Sequence, residues 1–241
     1  MNGILFNECL FPRVVDGTKT QTRRIMKPQT ADSYKLTELN CIEDDKPMVY
    51  YGFYTKEQYD KLSEWHKTTK NYTFMGKEYN RKHFAYPRFK VGERVFLKEP
   101  CKILTVMNGI GVIRYQDKAE KRFEADFVMK IVNQQDKSKT GYANKMPEWA
   151  ARYFIEITGV SAERLQDISD EDCFKEGIKI DRTFPDDEVI YLNGLQGFKK
   201  AKGEKHYKTP REAFAALIDK TCGKGTWKSN PFVWVYDFKN G

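Results

Sequence analysis

From Phe232 to Phe238 the chain alternates without a break: Phe232, Trp234, Tyr236 and Phe238 hold one parity, Val233, Val235 and Asp237 the other. A period of two puts these sets on opposite faces of a β-strand, so four rings line one face of a closing strand. Other segments read as strands are Val91–Glu99, Val112–Tyr115, Arg122–Lys130 and Phe154–Val160. Short strands at modest spacing, with no regular βαβ alternation, predict an α+β fold built on a small mixed β-barrel rather than a doubly wound sheet.

Helix signals flank these strands. Pro12 sits where a first-turn proline belongs, Val14 and Val15 supply apolar contact, and Gly17 stands where a left-handed residue ends a short helix. Ser169 with Asp172 resembles a capping box, Ile168 and Cys173 form its hydrophobic staple, and Gly177 ends that helix. Thr209, Pro210 and Glu212 open another, with Phe214, Leu217 and Ile218 toward the core and a stop near Gly223. Residues 30–47 are polar with little periodicity, and Thr55 with Gln58 caps a helix carrying Tyr59, Leu62 and Trp65. The segment of about 30–88 therefore reads as an insertion. With no internal repeat, low-complexity tract or flexible linker, residues 1–241 are expected to form a single domain.

Several function classes lose support. Apolar runs reach only five residues, as in Phe214–Ile218, against roughly 20 for a bilayer span. Met1–Phe11 lacks the features of a secretory signal, so the expected location is the cytoplasm. Five scattered cysteines with no C-x-x-C and three dispersed histidines argue against zinc and a disulfide framework. Neither a phosphate-loop nor a dinucleotide glycine pattern occurs, and no metal or other cofactor is expected.

A net charge of +8 favours anionic partners. Between His66 and Lys90 seven Lys/Arg, interleaved with aromatics, face a single acid, Glu78. That mixture suits a nucleic-acid clamp, with cations on phosphates and rings on bases, and equally a half-exposed hairpin with its rings on the core. The five lysines of 199–208 read as a solvated loop.

The densest functional cluster is Gly17-Thr18-Lys19-Thr20-Gln21-Thr22-Arg23-Arg24. Lys19 becomes a general base if burial or neighbouring cations depress its pKa, and Thr22 becomes a nucleophile if that base takes its proton. In a regular strand the two would point to opposite faces, so the pair requires a turn, a bulge or a helical start. A polar turn leading into an exposed basic strand is the plainer alternative. Glu176, at a helix C-terminus disfavoured for carboxylates, is a further candidate. So are Glu99, ending a strand, and Arg152, close to Trp149.

These residues carry a resemblance. Gly17, Lys19, Thr22 and Arg24 meet the G-x-K-x-x-[ET]-x-R loop of the ASCH superfamily, and the string through Gln29 resembles its phage-encoded members. Residues 89–99, 146–152, 163–169 and 230–235 are similar to further family blocks. The resemblance implies a PUA-like fold with a cleft beside the Gly-x-Lys loop and an RNA or modified-nucleoside ligand. One branch comprises N4-acetylcytidine amidohydrolases, whose Lys, Thr and distant Glu are matched by Lys19, Thr22 and Glu176. In that likeness Arg24 and Arg152 bind or polarise the base and Trp234 stacks on the ligand, while Glu99, from its place at the end of a strand, is expected to face a pocket. Three readings stay open: an amidohydrolase of acylated nucleosides, a non-catalytic reader of RNA or modified bases, and a ribonuclease.

Overall fold

The structure is a computed structural model that describes residues 1–7, 9–27, 29, 34–43, 46–55, 84–99, 101–106, 110–115, 117–124, 146–181, 190–192 and 207–241. In chain order its strands are β1 (Gly3–Leu5), β2 (Gln21–Ile25), β3 (Tyr34–Glu43), β4 (Lys46–Thr55), β5 (Phe84–Ala85), β6 (Arg94–Lys98) and β7 (Cys101–Val106). They continue with β8 (Ile110–Tyr115), β9 (Glu120–Glu124), β10 (Phe154–Arg164), β11 (Lys179–Asp181), β12 (Ile190–Leu192) and β13 (Phe232–Asn240). The helices are α1 (Phe11–Val15), α2 (Asp170–Lys175), α3 (Pro210–Cys222) and α4 (Thr226–Ser229).

The main sheet is open and mixed, in the order β1-β6-β10-β13-β2. Only β1 and β6 run parallel; the other pairs are antiparallel. Its spine is the long β10–β13 ladder, and β2 lies on the far side of β13 with Thr22 opposite Tyr236 and Arg24 opposite Trp234. The chain is thus an α+β protein in which β1 and β2 form the two edges of one sheet.

Both parities of β13 are buried from Phe232 to Tyr236, because valines and rings alike are apolar and each face finds a cover. On the ring face, Phe89 meets Tyr236 edge-on at 5.2 Å and Phe6 meets Phe238 at 6.0 Å. The other face carries α2 and α3: Arg23, opposite Val235, lies 6.0 Å from the ring of Phe214, which packs edge-on against Trp227.

The capping signals correspond to bonds. The Ser169 hydroxyl accepts from the Asp172 N–H and that of Thr209 from the Glu212 N–H, each at 3.1 Å. Pro12 is the second residue of α1 rather than the first, and Gly17 ends it at φ +78°. A bulge shifts the β10–β13 register between Ile157 and Gly159. There a Cβ on Gly159 would stand 2.8 Å from the Asp237 carboxylate, so glycine makes room for a side chain that the site uses.

Residues 30–47 depart from expectation. β3 and β4 pair over ten residues each and form, with β5, a sheet of their own. The overlooked signal is Met48-Val49-Tyr50-Tyr51 and Phe53-Tyr54, dense in residues that favour strands. The helix expected after Thr55, the stretch 56–83 and the lysines of 199–206 lie outside the described residues. The strand expected over Arg122–Lys130 is seen as β9, and 125–130 likewise fall outside. Among the described residues no helix is long and apolar enough to cross a membrane.

Phe214 is fully buried between the helices and the sheet. Phe214→Ala is expected to lower unfolding free energy by about 3–5 kcal/mol in a denaturant titration.

Candidate active site

The loop between α1 and β2 is fixed by the Asp16 side chain and by backbone bonds to α1 and α2. Asp16 takes both the N–H and the hydroxyl of Thr18, at 2.9 and 2.6 Å. The Lys19 N–H donates to the Arg13 carbonyl (2.8 Å), and the Thr20 N–H to that of Lys175 at the end of α2 (3.0 Å). β2 begins only at Gln21, so Lys19 belongs to a turn rather than to the strand that carries Thr22.

Lys19 is 1% exposed. Its Nζ donates to the Gln21 carbonyl (2.7 Å), the Glu176 carbonyl (2.8 Å) and Glu176 Oε2 (2.5 Å), which occupies all three ammonium protons. Glu176, 4% exposed, caps the C-terminus of α2, and its Oε1 accepts from Arg23 Nη1 at 3.3 Å. Two cations thus offset the unfavourable dipole at that helix end. Burial pushes the Lys19 pKa below its ordinary value; Glu176 opposes the shift, while Arg24 and Arg23 add to it. Gly177 follows at φ +98°, and its carbonyl accepts from the Arg13 guanidinium. A Cβ there would come within 3.3 Å of Leu10 and 3.7 Å of Lys19, so glycine is demanded by conformation and by space.

Around Arg23 the network widens. Its Nε donates to Glu163 (2.7 Å), Nη2 to Asp172 (3.3 Å) and Nη1 also to Gln21 Oε1 (2.5 Å), while Gln21 Nε2 donates to Asp237 (2.8 Å). Burial alone would lower the Arg23 pKa, but Glu176, Glu163 and Asp172 outweigh it and hold it above the usual value.

By strand alternation Thr22 and Arg24 take the opposite face of β2. A cleft of about 390 Å³ opens on that face, lined by edge residues from β1 and β2, by Trp234 and Tyr236 of β13, and by Tyr86, Arg88 and Phe89. Arg24 spans the two edges, donating from Nη2 to the Leu5 carbonyl at 2.7 Å with its guanidinium 5.2 Å from the Phe6 ring. The Arg88 N–H donates to the Tyr236 hydroxyl at 2.9 Å. Thr22 is 4% exposed, makes no hydrogen bond to Lys19 and is not one of the lining residues.

The sequence-derived candidates therefore fall into three places. Lys19 and Glu176 meet directly. Arg24 and Trp234 line the cleft, though Trp234 is almost wholly buried. Glu99 and Arg152 bind each other, with Nε to Oε1 at 2.9 Å and Nη2 to Oε2 at 2.5 Å, and Arg152 also pairs with Asp117 and lies 3.9 Å over the Tyr115 ring. Neither lines the cleft nor bonds to the Lys19 network. Sequence reasoning missed Glu163, Asp172 and Asp237 as partners of this site, because no local spacing announces them; Gln21 lay within the cluster it singled out. Tyr86 and Arg88 had a signal, the basic aromatic stretch, but not a location. No family model, curated protein or solved structure matches the chain. Among the described residues no group of three His, Cys, Asp or Glu is placed to hold a metal ion.

Removing one member of a buried ion pair leaves an uncompensated charge, so Glu176→Ala is expected to cost about 3–5 kcal/mol of stability. Lys19→Met combined with Glu176→Leu should cost far less than the two single losses summed, read as a coupling energy in a double-mutant cycle.

Proposed function

We propose that the chain is an ASCH-type amidohydrolase with a PUA-like barrel, removing an acyl group from the exocyclic nitrogen of a nucleoside held in the cleft. One observation carries this reading: Lys19 and Glu176, 157 positions apart in sequence, meet as a buried pair at the mouth of the strand that bears Thr22. The bridging of the two sheet edges by Arg24 supports the barrel, since it brings β1 and β2 to either side of one groove.

In the proposed reaction neutral Lys19 takes the Thr22 hydroxyl proton as the oxygen attacks the acyl carbonyl. The tetrahedral oxyanion develops on the face that holds Arg24, whose charge stabilises it. Collapse breaks the C–N bond, Lys19 returns the proton to the leaving amine, and Thr22 is left as an ester. Lys19 then deprotonates water, which hydrolyses the ester to the free acid and restores Thr22. Glu176 positions the lysine. The resting ammonium has no lone pair with which to take a proton, so Lys19 must first lose one to solvent, and ligand entry must bring Thr22 Oγ within reach, as catalytic hydrogen bonds often tighten only in the complex.

A second reading, a reader of RNA or modified bases, is favoured by the cations of the cleft, and the same assay separates the two. Purified protein is incubated with N4-acetylcytidine and other acylated nucleosides, and products are followed by chromatography. Turnover lost in Thr22→Ala and Lys19→Ala, and strongly reduced in Glu176→Ala, is the expected result; binding without turnover favours the reader.

The pH dependence gives an independent check. Only neutral Lys19 accepts the proton, so kcat/KM should rise with pH through an apparent pKa below 10.5, the ordinary lysine value. Glu176→Gln removes the charge that holds the proton on, and the rising limb should then move to lower pH.

A further inference from the structure

The two adjacent arginines of β2 are treated in opposite ways. Arg23 is surrounded by Glu163, Asp172 and Glu176. Arg24, one residue on and on the other face, makes no ion pair among the described residues; its Nη2 has a backbone carbonyl, and its buried Nε has no hydrogen-bond partner among them. The other cleft cations are similarly placed. Arg88 donates to the Gly3 carbonyl at 3.2 Å, and among the described residues it meets no carboxylate and exposed Lys27 makes neither hydrogen bond nor ion pair. Among the described residues, no Asp or Glu lines this cleft.

Three cations that make no ion pair among the described residues, one of them partly buried, repel one another and lose hydration; Glu176 acts on Arg24 only without direct contact, and an anion in the cleft relieves the arrangement. The apolar remainder of the lining suits a flat ring: Tyr86, 48% exposed, offers an accessible aromatic surface beside Arg88. We infer that the cleft selects the phosphorylated form of its ligand, a nucleotide in place of a bare nucleoside, with Lys27 and Arg88 holding the phosphate and Tyr86 stacking on the base. This deepens the proposed reaction by naming its substrate class and rests on that reading for the acylated base alone. The phosphate is supplied either by a free mononucleotide or by a polynucleotide chain, and guanidinium and ammonium donors suit both.

Binding decides this without turnover. Calorimetric titration of the full chain carrying Thr22→Ala compares cytidine, N4-acetylcytidine, the 5′- and 3′-monophosphates of each, and a cytidine hexanucleotide. At low salt at least one monophosphate should bind roughly ten- to a hundredfold more tightly than its nucleoside, as charge-assisted hydrogen bonds to a phosphate imply. Lys27→Gln and Arg88→Gln, both at exposed side chains, should each shrink that ratio. A hexanucleotide tighter than every monophosphate assigns the phosphate to a polymer; the reverse order assigns it to a free nucleotide. Monophosphates that bind no better than nucleosides, a ratio untouched by both substitutions, or no binding by any of these ligands would overturn the inference. Failure of the amidohydrolase reading is separately visible, as phosphate-dependent binding by a protein that hydrolyses none of the acylated compounds.

Discussion

The contact between the Lys19 ammonium and the Glu176 carboxylate lies at the centre of the bonds that join the turn after α1, the end of α2 and the start of β2. It ties the turn after α1 to the end of α2, and through Gln21 it ties both to the first residue of β2. Two buried charges are stable here only because every hydrogen-bonding position is used: Lys19 has three acceptors, and Glu176 has a second cation in Arg23. Glycines at 17 and 177 then follow as geometric requirements, since each lets the backbone turn back at a point where a side chain would be strained.

From that contact the charge distribution of β2 is set. Among the described residues, carboxylates bind the arginine on one face of the strand and none lines the cleft on the other, so consecutive residues of the same type do different work. Arg23 is held by at least four side-chain acceptors and orders the helix layer against the sheet. Arg24 reaches across to the opposite edge and leaves its positive potential in the groove. A lysine at either position would hold a point charge but lose the planar fork that makes these several contacts at once.

How much of this was legible in the sequence depends on range. Caps at Ser169 and Thr209, the left-handed end at Gly17 and the alternation of Phe232–Phe238 are local physics and read correctly. The meeting of Lys19 with Glu176 was suggested only by likeness to a family, because spacing cannot bring together residues so far apart. The strand starts at Gln21, a boundary no propensity fixes, which places Lys19 in a turn, yet its ammonium bonds to Gln21 and Glu176 and not to Thr22. Glu99 and Arg152 looked like free functional groups in the sequence, and each proved to be the other's counter-ion. The β3–β4 hairpin was hidden because its polar residues fall in both parities, which erases the period-two signal.

The two edge strands of the main sheet carry a last consequence. An unpaired edge offers backbone donors and acceptors to any passing chain, and proteins commonly blunt such edges with charge. At β2 that work falls to Arg24 and, just beyond, Lys27, since Arg23 is buried among its carboxylates. Two molecules approaching edge to edge along β2 would bring their cationic runs together, and like charge would keep them apart. The residue that spans the groove within one molecule thereby also discourages self-association between molecules.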